Sequence, residues 1–201
     1  MNKPFLKYTT EDLGDNFLLI TTGLPATWKT ECAQEVVKIK KTPMLRSDII
    51  RLEVLKSEDI FDEKVGVNMN KRTAVYDEVF RRADETLKTH RSVILDATFT
   101  TQALRKRAAE IADKHNKTLV ILQTNCPQEV SIVRIQKRTK EKYESNAITA
   151  QAYLNNKEIF ENVDLEDIKK TFPKLNILHL VIDTTIGELE NLYVKAVHKR
   201  S

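Results

Sequence analysis

FLLITTGLPATWKT, residues 17–30, joins an apolar run to the start of a helix through a turn that opens at Gly23. Phe17 to Thr22 is apolar and β-branched and ends on a glycine, the pattern of a buried strand. From Lys29 to Lys40 the apolar residues Cys32, Ala33, Val36, Val37 and Ile39 gather on one side of a helix. A strand, a glycine turn and a helix make the setting in which free backbone N–H groups at a helix start, aided by the helix dipole, face a phosphate chain. The loop follows the spacing G-x-x-x-x-G-K-[ST]. It keeps Gly23, Lys29 and Thr30, but Trp28 stands where the second glycine belongs and Ala26 where many phosphate loops carry another. On this reading Gly23, Pro25, Ala26, Thr27 and Trp28 wrap the phosphates of ATP or another NTP. Lys29 supplies a mobile cation and the Thr30 hydroxyl ligates Mg²⁺. The competing reading is a plain strand-to-helix turn with a chance Lys-Thr pair.

The alternation continues outward from this loop. Met44-Leu45-Arg46 is a short strand, and Asp48 to Lys56 a helix with Ser47 or Asp48 as its N-cap. Asn70 to Thr89 is the clearest helix, with Tyr76, Val79, Phe80, Ala83 and Leu87 at spacings of three and four. Ser92 to Leu95 is a strand ending at Asp96. Thr101 to His115 is a helix, Thr118 to Thr124 a strand, and Pro127 to Thr139 a helix opened by proline. Thr149 to Asn162 reads as a helix and Ile177 to Asp183 as the last strand, with a final helix expected up to about Lys199. Strands alternating with helices predict a mainly parallel sheet with helices on both faces. Ligands in such sheets bind beyond the carboxyl ends of the strands.

The residues at those ends carry chemistry. Asp48 and Arg51, three apart on a helix after the second strand, suit a base and an anion-binding arginine on a substrate side. An N-cap with an ordinary ion pair is the alternative. Asp96 closes the apolar run Val93-Ile94-Leu95 as a Walker B carboxylate would, holding Mg²⁺; Thr98, two residues on, faces the same place. Arg134 and Arg138 share a helical face just before the polar stretch 139–149, a lid candidate whose arginines would close over a transferred phosphate. Arg105, Lys106 and Arg107 read as a solvated basic face, and the four histidines as structural.

Composition bounds the class. The 201 residues fit one α/β domain, 1–201, with a sizeable core. Net charge is +4, which suits an anionic ligand without the dense basic stripe of a nucleic-acid binder. Cys32 and Cys126 lack CxxC spacing and read as reduced thiols. No run is long enough for a membrane span, and MNKPFLKYTTED has no signal-peptide core, so the expected home is the cytoplasm.

The order G-L-P-x-x-x-K-T, S-D-x-x-R, Y-D-E-V-F-R-R-A, V-I-L-D-A-T-F and R-I-x-x-R resembles the P-loop kinases of the AAA_33 type. These are similar to the kinase domain of phage polynucleotide kinase, chloramphenicol phosphotransferase and zeta toxins. The resemblance spans residues 17 to 184. It implies a three-layer P-loop fold with a five-stranded parallel sheet in the order 2-3-1-4-5. It implies ATP and Mg²⁺ at Lys29, Thr30 and Asp96, with Asp48 as general base, Arg51 orienting the acceptor, and Arg138, with Arg134 one turn before it, as lid arginine. The implied activity moves the γ-phosphate to a hydroxyl of a small molecule or a nucleic-acid 5′ end, and the mild charge favours the small molecule. Trp28 departs from the pattern, as does Asn146 where relatives often carry Ser-Asp-Ala. A non-catalytic phosphate sensor and an ATPase are the other readings, and oligomeric state is left open.

Overall fold

The computed structural model describes residues 3–56, 59, 65, 68–138 and 147–201. In chain order the elements are strand β1 (Lys3–Pro4), helix α1 (Phe5–Glu11), β2 (Phe17–Thr22), α2 (Lys29–Lys40), β3 (Met44–Arg46), α3 (Ser47–Val54) and α4 (Met69–Thr86). They continue with β4 (Val93–Asp96), α5 (Gln102–Lys114), β5 (Thr118–Asn125), α6 (Gln128–Gln136), α7 (Ala150–Glu158), α8 (Leu165–Thr171), β6 (Ile177–Asp183) and β7 (Tyr193–Arg200).

The sheet is seven-stranded, in the order β1-β7-β6-β5-β2-β4-β3. β3, β4, β2, β5 and β6 are parallel neighbours in the order expected of five strands. The sheet as a whole departs from that expectation, because β7 pairs antiparallel with β6 and β1 antiparallel with β7. The expected final helix is therefore a strand. Leu189, Leu192 and Ala196 fall at helical spacing, but Leu192 and Val194 are the residues buried, a period of two that fits an edge strand. A single 3₁₀ turn, Leu189–Asn191, precedes it. Helices α1 and α8 were not anticipated. α1 buries Phe5 and Tyr8, and Asp164 caps α8 by accepting from the Asp167 N–H.

Alternation along the strands divides the core into two layers. Leu18, Ile20, Leu95 and Ile121 face a cluster completed by Val79 and Ala83 of α4, Ala108 and Ala112 of α5, and Ile168 of α8. Phe17, Leu19, Ile94 and Leu122 face the other, completed by Phe5 of α1 and Cys32, Ala33 and Val36 of α2. Helices thus cover both faces, and all six residues of β2 are buried. The carboxyl ends of β2, β3 and β4 open onto one edge, where Thr21 bonds the carboxylate of Asp96 and the backbone of Ala97.

One basic residue corrects its expected setting. Arg105 is wholly buried rather than solvated. It donates to the carbonyls of Thr100, Glu161 and Asn162 and to the Gln102 side chain, with the Phe160 ring 5.4 Å away. It ties the turn before α5 to the turn before α8. Lys106 and Arg107 do sit at the surface, paired with Asp167 and Asp77.

Candidate functional site

The turn between β2 and α2 is held in conformations that its side chains disfavour. Ala26 has φ 61° and Trp28 φ 65°, both left-handed. These are the two positions where glycines were missing from the motif. The loop therefore takes the backbone path that glycine makes easy, at a cost of about 1–2 kcal/mol for each substituted residue. Gly23 has φ 141°, and a Cβ there would lie 2.5 Å from the Thr124 carbonyl oxygen. No larger residue fits that contact.

The neighbours explain why the loop keeps its shape. Thr27 turns inward, donating to the Leu24 carbonyl at 2.8 Å and meeting the Thr124 hydroxyl at 2.8 Å. The Thr184 hydroxyl donates to the Thr27 carbonyl. Arg134 donates to the Ala26 carbonyl at 3.3 Å and to the Thr184 carbonyl at 2.5 Å, and its guanidinium stands 4.7 Å from the Trp28 ring centroid. Gly187 closes over the same indole. Arg134 thus braces the loop from outside and is not among the residues lining the cavity described next.

A cavity of about 340 Å³ lies between the loop and α3. Pro25, Ala26, Trp28, Lys29 and Thr30 form its loop side, and Asp96, Thr98 and Arg138 line it as well. Asp48 and Arg51 line it too, with Arg46, Arg72 and Tyr76. Gly23 and Thr27 stand behind the loop, outside that lining. No side chain caps α2, so the N–H groups of its first turn are free to meet an anion.

The charged groups sit at defined distances. Thr30 Oγ1 donates to Asp96 Oδ2 at 2.7 Å, while Thr21 Oγ1 lies 3.2 Å from Asp96 Oδ1. Arg46 Nε stands 3.7 Å from Asp96. Burial pushes the Asp96 carboxyl above its ordinary range, against the Thr30 hydrogen bond and the Lys29 charge. Lys29 Nζ donates to the Leu24 carbonyl at 2.8 Å. Burial holds that ammonium below its usual value, against the pull of Asp96. Such a lysine is a short move from a phosphate placed over the loop. Arg51 Nη1 meets Asp48 Oδ1 at 2.5 Å, with Arg46 rather than Ser47 or Asp48 as the cap of α3. Arg138 donates to the Ala147 carbonyl at 3.0 Å. Most of the expected lid, 139–146 with Asn146, lies outside the described residues.

Thr98 reaches the cavity through a bent segment. Phe99 has φ 44° and is fully buried against Tyr76 and Phe80, and its N–H donates to the Tyr76 hydroxyl at 3.1 Å. Arg46, Arg72, Tyr76 and Thr21 were not singled out from the sequence. Arg46 and Thr21 carried a signal, since both stand at or beside strand carboxyl ends. Arg72 carried none, being one basic residue in the polar run Met69 to Thr73.

Among the described residues no cluster of His, Cys, Asp and Glu could by itself cage a metal, and no helix is long and apolar enough to cross a membrane. A family model described as an AAA domain, AAA_33, matches residues 18–162. No curated protein sequence matches the chain. Among solved structures, a gluconokinase from Sinorhizobium meliloti 1021 superposes with TM-score 0.61 at 13% identity, covering 88% of this chain and 87% of that one. A sugar kinase from Janibacter sp. HTCC2649 gives 0.56 at 14%, covering 84% and 85%. AvrRxo1-ORF1:-ORF2 with ATP gives 0.51 at 14%, covering 89% of this chain and 58% of that chain. At these identities the likeness speaks for a shared P-loop fold.

Proposed function

The chain belongs to the AAA_33 family of AAA domains, and from that premise we propose that it is an ATP-dependent phosphotransferase acting on a hydroxyl acceptor. One observation carries the reading. A phosphate loop with Lys29 and Thr30 and a carboxylate–arginine pair, Asp48 and Arg51, line the same cavity. A site that only bound phosphate has no use for a carboxylate facing it, whereas hydroxyl activation needs one. The similar structures, a gluconokinase, a sugar kinase and a complex with ATP, support the same class.

In this mechanism the acceptor oxygen attacks the γ-phosphorus of ATP. The new O–P bond forms as the bond to the β–γ bridging oxygen breaks, the hydroxyl proton passes to Asp48, and ADP leaves. Arg51 holds the Asp48 carboxylate in place. The loop N–H groups and Lys29 take the phosphate charge, and Arg138 supplies a further cation from the edge of the cavity. Thr30 Oγ1 and Asp96, 2.7 Å apart, fit Mg²⁺, which takes one or two protein oxygens and completes its shell with phosphate and water. When bound, that ion neutralises charge between the β- and γ-phosphates. Cys32 and Cys126 are both free thiols, which suits a cytoplasmic setting.

The test is ADP release from Mg-ATP with panels of hydroxyl compounds. Asp48→Asn is expected to lower kcat by about 10²- to 10⁴-fold, the usual contribution of a general base, with nucleotide binding retained. Full activity in that variant would remove Asp48 from the mechanism. ADP release that never depends on an acceptor would favour the ATPase reading.

A further inference from the structure

Among the described residues, Arg46, Arg51 and Arg72 line the cavity together with Asp48. Arg51 is engaged by Asp48 at 2.5 Å, and Arg46 lies beside Asp96. Arg72 is different. It is half-buried, and the hydrogen bond its guanidinium makes, to the Thr100 hydroxyl, is 3.5 Å long, at the outer limit for such a bond. Among the described residues no carboxylate pairs with it. A guanidinium withdrawn from water without an anion is costly, and burial does pull its pKa down. Its position adds to that cost. Lys71 and Arg72 both fall in the first turn of α4, which holds no acidic residue, so the helix dipole opposes both charges. Arg51 is near enough to disfavour the charge on Arg72 as well.

Tyr76 lies one helical turn beyond Arg72 on the same face. Its ring is buried, and its oxygen accepts from the Phe99 N–H. The phenolic proton finds no acceptor among the described residues and is left for a ligand. Arg72, Tyr76 and Thr98 line the cavity beside Asp48. A planar guanidinium and a neighbouring O–H donor match the oxygens of a carboxylate or phosphate. An anion there would also lie between two arginines that otherwise repel.

We propose that the acceptor is a small hydroxyl compound bearing an acidic oxyanion group, a carboxylate or a phosphate monoester, and that Arg72 and Tyr76 bind that group while Asp48 faces the hydroxyl. The acceptor half rests on the phosphotransferase reading; the anion site stands apart from it. A cavity of about 340 Å³ that must also take nucleotide phosphates leaves room for a sugar-sized compound.

The experiment uses matched probes, glucose with gluconate and glucose 6-phosphate, and glycerol with glycerate and glycerol 3-phosphate. Turnover is read as ADP release, and binding by calorimetry without nucleotide. The acidic members are expected to exceed the neutral ones at least tenfold in kcat/KM. Arg72→Met should erase that preference through KM, and Arg72→Lys should restore part of it. The carboxylate and phosphate arms tell which group the site takes. Equal rates for neutral and acidic members, or a preference unchanged in Arg72→Met, overturn the proposal and leave the phosphotransferase reading intact. If no probe is turned over, the calorimetry decides. Acidic probes that bind, and bind at least tenfold more weakly to Arg72→Met, uphold the anion site without the activity; acidic probes that do not bind overturn it. Thermal melts check folding, and Arg72→Gln replaces Arg72→Met should that variant not fold.

Discussion

Replacing Trp28 with glycine restores the residue that the phosphate-loop pattern calls for, yet the structure says it will weaken the protein. Relief of the left-handed strain at φ 65° returns about 1–2 kcal/mol. Against it stand the extra backbone freedom of glycine in the unfolded chain, about 0.5–1 kcal/mol, and the lost contact with Arg134, about 0.5–1 kcal/mol at a partly exposed site. The half-buried indole adds a further loss of about 1–2 kcal/mol. The balance is a destabilisation of about 1.5 kcal/mol, or about 3–6 °C in Tm for a chain of this length. Ala26→Gly differs. It relieves similar strain, and against that stand the same glycine freedom, about 0.5–1 kcal/mol, and a methyl group worth about 0.8 kcal/mol, so its Tm should stay within about 2 °C of the parent. Thermal unfolding of the two variants, with calorimetric titration of Mg-ATP, tests the reasoning. With main-chain N–H groups as the proposed phosphate contacts, Mg-ATP affinity in Trp28→Gly should change less than about threefold. A Trp28→Gly variant more stable than the parent would refute the bracing role of the indole. A tenfold gain in affinity would mean that Trp28 obstructs the loop rather than supports it. The parent offers a third readout, since Trp28 is the only tryptophan and its fluorescence should respond to Mg-ATP.

Asp96→Asn should melt no lower than the parent, because burial already penalises the ionised carboxyl. Its Mg-dependent nucleotide affinity should fall at least about tenfold, a stability gain traded against function; melts and titrations with and without Mg²⁺ check both halves. Arg105→Met should lose about 1–3 kcal/mol by denaturant unfolding, since it removes the donor to the buried Thr100 carbonyl and to the partly buried bonds at Glu161 and Asn162. Burial lowers the His179 pKa to about 4. The unfolded chain therefore binds a proton more readily, and stability is lost as pH falls from about 6.5 towards 4, by up to roughly 3 kcal/mol. Tm should fall as the pH is lowered across that window, and the dependence should flatten in His179→Gln.

What could be read from the residues was what local pattern carries. The parallel strands are short apolar runs with turn signals at their ends, and the loop, Asp48, Arg51 and Asp96 stand at the strand ends where such a fold gathers ligands. β7 escaped because Leu189, Leu192 and Ala196 repeat at a helical interval, and only pairing with β6 selects the two-residue period. Arg105 looked solvated among consecutive charges. Its burial depends on carbonyls contributed from residues 161 and 162, more than fifty positions away. Arg72 was invisible for a similar reason. Nothing near it in the chain shows that α4 points its first turn at the cavity. Arg134 was expected at the phosphates with Arg138, and helical spacing could not separate an arginine that lines the cavity from one that braces the loop behind it.

The missing glycines look like decay only while the loop is read as a string. In three dimensions Ala26 and Trp28 occupy the left-handed region at the positions of the absent glycines. Residues held in such conformations persist only where the surroundings over-determine them. Here the surroundings do: Arg134 on the Ala26 carbonyl, Thr184 on the Thr27 carbonyl, and Gly187 and Arg134 enclosing the indole. A turn released from phosphate binding would be expected to relax into ordinary backbone, because nothing in a strand-to-helix connection requires two strained residues. That the fold braces this geometry, directly beside Lys29, Thr30 and Asp96, is the physical case for a loop still shaped to hold a phosphate chain.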